Sequence, residues 1–105
     1  LTLSGGEPFE QSAALMPIAR AARARGLSLW AYSGYTFEQL VADPERRALL
    51  ELLDVLVDGR FIEAQKDYRL RFKGSRNQRI IDVPASLREG HVVCSSYDDV
   101  NQDLE

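Results

Sequence analysis

The chain has one cysteine, Cys94, among its 105 residues. A lone thiol forms no internal disulfide. It has no second cysteine at metal-ligand spacing, so it reads as a buried thiol. The lack of disulfides fits a reducing cytoplasm, the expected location. The single histidine, His91, has no serine or cysteine nucleophile pattern around it and reads as an ordinary surface or edge residue. No apolar run reaches the length of a membrane span, and no signal peptide is visible. The net charge is only -3. That gives no general attraction to nucleic acid or an anionic membrane, and neither is expected as a partner. There is no internal repeat and no low-complexity tract. The first residue is Leu1, inside an apparent strand and without Met, so the chain is expected to be a piece of a longer protein. Its length bounds it to one domain or part of one, burying roughly two thirds of the surface its unfolded chain exposes.

What is present alternates between strand and helix patterns. Leu1–Ser4 reads as a strand. Ser12–Arg25 reads as a helix with Leu15, Ile18, Ala19 and Ala22 on one face. Pro17 removes a backbone donor there, which predicts a kink or a restart. Gly26 stands where a helix C-terminus favours a left-handed residue. Leu27–Ser33 is a second strand. Thr36 with Gln39 makes a capping box, and Asp43-Pro44 gives an N-cap followed by proline at the first helical position. Leu49, Leu50 and Leu53 form the next apolar face, and Asp54–Asp58 is a third strand. Apolar strands alternating with amphipathic helices predict an α/β fold, a parallel βαβαβ unit with right-handed crossovers. Beyond it, Tyr68, Leu70 and Phe72 alternate with Arg69 and Arg71 as an extended segment with one wet face. Gly74–Arg79 reads as a polar turn and Arg79–Val83 as a short strand. Pro84–Glu89 reads as a helical turn stopped by Gly90. His91–Ser95 is a possible last strand, and the acidic segment Asp98–Glu105 is expected to be mobile.

The strand ends carry the candidate chemistry. The first runs into Ser4-Gly5-Gly6-Glu7, the second into Ser33-Gly34-Tyr35 and the third into Asp58-Gly59-Arg60, while Asp82 lies near the end of the later strand. In a parallel sheet such ends share one rim, where small molecules bind. Gly34 and Gly59 taken singly read as turn residues. A turn needs one glycine, so the pair Gly5-Gly6 reads as a place where backbone approaches a ligand. Glu7 is suited to a ligand ammonium, a charge-assisted contact, and equally to the first turn of the following helix, where a carboxylate favours the dipole. Asp58 reads either as a solvated strand-end carboxylate or as a ligand contact. Arg69, Arg71, Lys73, Arg76 and Arg79 form a basic run without aromatic interleaving of the nucleic-acid type, read as a protein-contact or anion-facing surface.

With these residues in view, the chain resembles the activating enzymes of glycyl-radical proteins, within the radical S-adenosylmethionine superfamily, and most of all those that serve anaerobic ribonucleotide reductase. The carriers are Leu3-Ser4-Gly5-Gly6-Glu7-Pro8, the block Leu29–Thr36, the block Asp54–Phe61 and the block Gly74–Arg79. The resemblance implies a partial, TIM-like β/α barrel, with residues 1–90 its C-terminal part and 91–105 a tail. It implies that Gly5, Gly6 and Glu7 meet the amino group of S-adenosylmethionine, with Ser33 and Asp58 lining the same cofactor. Asn77, Gln78 and Arg79 would shape the site or meet the partner. It implies reductive cleavage of S-adenosylmethionine at a [4Fe-4S] cluster and removal of hydrogen from a glycine of anaerobic ribonucleotide reductase. A reduced flavodoxin-type protein would be the electron donor.

The family holds its cluster with a Cys-x3-Cys-x2-Cys loop that would precede Leu1. Three thiolates cannot come from a chain with one cysteine. The chain by itself is therefore expected to bind no metal and to be inactive. A barrel without its first strand exposes a sheet edge, which predicts self-association. Two other readings are a self-contained, non-catalytic α/β ligand-binding or protein-interaction module, and a radical enzyme acting on a small molecule.

Overall fold

A computed structural model describes residues 1–104. Four strands form one sheet in the order β1 (Thr2–Leu3), β2 (Trp30–Tyr32), β3 (Val55–Asp58), β4 (Arg79–Asp82). The first three pair in parallel, with Leu3 beside Ala31 and Ala31 beside Leu56. Helix α1 (Ser12–Ala24) crosses from β1 to β2, and α2 (Phe37–Ala42) with α3 (Pro44–Leu50) crosses from β2 to β3. The βαβαβ expectation holds for this part.

Local signals set the helix ends. Leu27 donates its amide to the Ala22 carbonyl at 3.0 Å and Gly26 to Arg23 at 3.0 Å, with Gly26 at φ +71°. These bonds satisfy the last carbonyls of α1 by a turn that only a left-handed residue allows. The capping box forms: Gln39 N–H donates to Thr36 Oγ1 at 3.2 Å, and Thr36 N–H to Gln39 Oε1 at 3.0 Å. Asp43 accepts from Glu45 N–H at 3.1 Å ahead of Pro44. Pro17 lies inside α1, which runs on without the expected restart.

Leu3, Ala31, Leu56 and Ile81 alternate onto one sheet face and meet Ala19, Ala22, Leu40, Leu49 and Leu50 of the helices. Leu49, Leu50 and Leu53 are buried as expected, whereas Ile18 is half exposed because α1 presents its small residues to the sheet. The other face carries Val55, Val57 and Ile80, with Trp30 and Tyr32 partly buried beside them.

The second half departs further from expectation. β4 pairs antiparallel with β3, Asp58 facing Arg79 and Val55 facing Asp82. Asp82 therefore sits at the end of the sheet away from the rim, where its carboxylate accepts from Ala85 N–H at 3.0 Å and caps α4 (Val83–Glu89). The alternating stretch Tyr68–Phe72 is not a strand; its neighbours Lys66 and Ser75 make one isolated bridge. His91–Ser95 supplies only the bridge Ile81–Cys94, and Cys94 is exposed rather than buried. The acidic segment expected to be mobile forms a 3-10 helix, Ser96–Leu104, and Glu105 lies outside the described residues. The free sheet edge is β1, only two residues long.

Candidate functional site

The rim of the parallel strands is built around Glu7. β1 stops at Leu3, and the chain turns through Gly5 at φ +78° and Gly6 at φ +59°. Both lie in the left-handed region that L side chains avoid at a cost of about 1–2 kcal/mol, so the turn itself uses both glycines, contrary to the expectation that one would suffice. They are exposed, and among the described residues neither peptide group takes part in a hydrogen bond. A Cβ at Gly5 would meet nothing within 4 Å. Free backbone donors and acceptors thus face open space at the C-terminal end of a parallel strand.

Glu7 ties this turn to the end of β2. Its Oε2 accepts from Phe9 N–H at 3.0 Å and caps the 3-10 helix Pro8–Gln11. Its Oε1 accepts from Gly34 N–H at 2.8 Å, and the Ser33 hydroxyl lies 3.0 Å from both oxygens. Ser33 Oγ in turn accepts from Tyr35 N–H at 3.0 Å. No cation pairs with Glu7 among the described residues. A carboxylate offers about four acceptor positions, and three internal donors leave one for a ligand. Both readings of Glu7, helix cap and ligand acceptor, are compatible with this geometry.

Gly6, Glu7, Ser33 and Gln78 share a groove of about 240 Å³ with Tyr32 and Phe61. Gly5 lines a smaller adjoining cleft of about 150 Å³ with Ser4 and Gln11. Gln78 donates to the Gly59 carbonyl at 3.0 Å and accepts from Gly74 N–H at 2.9 Å; Asn77 donates to the Arg60 carbonyl at 2.8 Å. These two side chains clamp the turn after β3. A cavity of about 610 Å³ lies at the opposite end of the strands beside Arg23, Asp54 and Asp82 and is lined by none of Gly5, Gly6, Glu7, Ser33 or Asp58.

Asp58 does not line the groove. It is 1% exposed, and its oxygens are taken by Arg79, at 3.0 Å from Nε and 2.5 Å from Nη2, and by Phe37 N–H at 2.7 Å. Arg79 also reaches Glu38 at 2.7 Å. Hydrogen bonds that the guanidinium donates to Asp58 and then Glu38 hold its pKa above the ordinary value, and Arg79 holds the Glu38 carboxyl below its own. This network joins β3, β4 and α2 beneath the rim. Tyr32 and Phe61 were missed by sequence reasoning. Tyr32 had a signal: it follows the buried Ala31 on β2, so it points to the other face. A second, partly buried cluster flanks the rim, where Arg46 lies 4.5 Å over the Tyr35 ring and the Tyr35 hydroxyl donates to Glu10.

The glycine pair and the clamped carboxylate lie at the C-terminal rim of the parallel strands, the end of an α/β sheet where ligands generally bind. Residues 1–81 match the 4Fe-4S single cluster domain, and the chain belongs to that family. It is similar to the anaerobic ribonucleoside-triphosphate reductase-activating protein of Vibrio cholerae, 42% identical over 84 residues, 76% of this chain and 53% of that protein. The protein of the same name from Haemophilus influenzae is 38% identical over 84 residues, with the same coverage. That from Escherichia coli is 33% identical over 82 residues, 74% of this chain and 52% of the relative. The chain spans about half the length of the curated relatives it matches. No solved structure matches it. The family's iron–sulfur cluster does not fit the residues here. Cys94 is the only cysteine, and no group of three His, Cys, Asp or Glu among the described residues is placed to hold a metal.

Proposed function

We propose that this chain forms the S-adenosylmethionine-recognition part of an activating protein for anaerobic ribonucleotide reductase. The carrying observation is the pair of unbonded glycine peptides beside Glu7, whose carboxylate bridges the ends of β1 and β2 with acceptor capacity to spare. In this reading the backbone of Gly5 and Gly6 and the free acceptor position of Glu7 meet the amino-acid end of S-adenosylmethionine. Ser33 positions Glu7, and Gln78 with Asn77 fixes the turn that forms the groove's far wall. Asp58 and Arg79 act from beneath, by holding β4 against β3. The groove of about 240 Å³ is smaller than the roughly 300–1,000 Å³ usual for ligand sites, so it holds part of such a ligand rather than enclosing it.

The bound cofactor would supply a carbon radical for removing hydrogen from a glycine of the reductase, after reductive cleavage at a [4Fe-4S] cluster. The thiolates for that cluster are not residues of this chain. The chain's own task is to bind, orient and exclude water. A partial β/α barrel, a cytoplasmic setting and a reduced flavodoxin-type donor complete the proposal; no helix among the described residues is long and apolar enough to cross a membrane. The open edge of β1 is where two copies would pair. Two residues make a poor template, so light scattering should show association that is weak and grows with concentration.

Calorimetric titration of S-adenosylmethionine into the chain tests the site. Saturable binding that Gly6→Val abolishes, with far-UV circular dichroism unchanged, is expected. Absence of binding by the folded chain would overturn a preformed site.

A further inference from the structure

Between β3 and β4 the chain makes an excursion over residues 60–76. It carries six Lys/Arg against two acids, in a chain whose net charge is -3. Arg60 and Arg71 are exposed, and among the described residues their guanidinium groups pair with no carboxylate. Phe72, in the same excursion, stacks on the sheet face that α1–α3 leave uncovered, 5.5 Å from the Trp30 ring.

The structure already holds a peptide on this surface. Tyr97 packs edge-on against Trp30 at 4.9 Å and Phe72 at 5.5 Å. Asp98 pairs with Lys73 at 3.1 Å, the two side chains only 14% and 9% exposed. Asn101 is buried and reads the backbone of Arg71: its Oδ1 accepts from Arg71 N–H at 2.7 Å and its Nδ2 donates to the Arg71 carbonyl at 3.0 Å. The occupant is an aromatic anchor followed by acids and an amide. It belongs to Ser96–Leu104, outside the stretch that matches the family.

Its hold is modest. Tyr97 and Val100 each remain about half exposed, and 3-10 hydrogen bonds have poorer geometry than α-helical ones. Segments with few buried apolar contacts open at lower free energy than the sheet they cover.

We propose that Trp30, Phe72 and the basic excursion form a docking surface for an acidic polypeptide segment of a partner, with an aromatic anchor ahead of its acids, and that Ser96–Leu104 occupies this surface as an intramolecular competitor. Complementary charge selects the acidic segment, and Arg60 and Arg71 remain to receive further carboxylates. Asn101 shows that the Arg71 backbone pairs with a peptide-like amide, which favours a polypeptide over a nucleic acid. The surface meets the groove at Glu7 through Arg60 and Phe61, but its aromatic and Asn101 contacts do not depend on what that groove binds.

Trp30 is the sole tryptophan, so its fluorescence reports occupancy. The probe is a synthetic peptide of this chain's residues 95–105, added to the full chain and to its Tyr97→Ala/Asn101→Ala variant. The variant should bind it saturably, about tenfold more tightly than the intact chain, with the affinity weakened by added salt. The same peptide carrying Tyr97→Ala should bind neither. No saturable signal, equal affinity in both proteins, or an equal response to a single-stranded oligonucleotide of similar length overturns the proposal. Should circular dichroism show the variant unfolded, hydrogen exchange of the intact chain decides. Excess peptide should speed exchange of the amides over 97–101 and leave Val55–Asp58 unchanged, and unaltered exchange over 97–101 overturns the proposal.

Discussion

Arg79 grips Asp58 with two hydrogen bonds, at 3.0 Å and 2.5 Å, across the one antiparallel pairing of the sheet. Asp58 is buried, and among the described residues its only other donor is Phe37 N–H at the start of α2. Removing the guanidinium strands a carboxylate in the interior, which in comparable pairs costs about 3–5 kcal/mol. Arg79→Met should therefore lower unfolding stability by about 3 kcal/mol in urea, while Asp58→Asn/Arg79→Met should recover part of that loss. Equal stability of Arg79→Met and the parent chain would show that the pair holds nothing.

The same arginine sets an acid dependence. Its hydrogen bond to Glu38 depresses that carboxyl pKa from its ordinary value of 4.5. A depressed carboxyl contributes stability above the unfolded pKa and loses it as pH falls through the folded one. The elevated Arg79 pKa adds nothing in this window, since the group is charged in both states throughout. Stability should decline as pH drops below about 4.5, and Glu38→Gln should flatten the onset of that decline. Denaturant midpoints between pH 6 and pH 3 for the two proteins check this. Parallel curves would mean that Glu38 is not coupled to folding. The pair is exposed, so the difference should shrink in high salt.

How far these relationships are legible in the sequence depends on range. Thr36 with Gln39, Asp43 with Pro44, and Gly26 are local signals, and each forms as expected because its partners lie within five residues. The rim of β1 and β2 is also legible, since apolar strands joined by amphipathic helices leave few topologies. The direction of β4 is not, because a four-residue strand reads alike in either sense. That reversal moves Asp82 to the far end of the sheet and brings Arg79, 21 residues on in the chain, to Asp58. The alternation Tyr68-Arg69-Leu70-Arg71-Phe72 imitates a strand, but the segment is a loop whose Phe72 takes φ +68° to reach Trp30. Only the folded sheet shows that an aromatic is wanted there.

Glu7 and Ser33 separate scaffold from ligand contact. Glu7→Gln turns one acceptor oxygen into an NH2 that faces Phe9 N–H or Gly34 N–H, and a buried donor left unmet costs about 1–3 kcal/mol. Ser33→Ala removes one donor to Glu7 and leaves the carboxylate charged. If Glu7 accepts from the ammonium of S-adenosylmethionine, Glu7→Gln should also weaken binding by about 1.5–3 kcal/mol, whereas Ser33→Ala should cost well under that. Calorimetric affinities set beside urea midpoints resolve the two contributions. Affinity unchanged in Glu7→Gln would leave Glu7 a helix cap and nothing more.

Gly6 and Gly26 offer the sharpest contrast, because their backbones are alike and their surroundings differ. Gly6 sits at φ +59° and Gly26 at φ +71°, and a Cβ added at either would meet no atom closer than 3.7 Å. Alanine at each position therefore pays the same left-handed penalty, about 1–2 kcal/mol, without a steric clash. Both variants should lose stability to a similar extent by thermal or urea unfolding. Only Gly6→Ala should also weaken S-adenosylmethionine binding, because its methyl would stand where the proposed ligand meets the chain, while Gly26 closes α1 at the other end of the sheet. Equal affinities in the two alanine variants would reduce the glycine pair to a turn and remove the ligand from the rim.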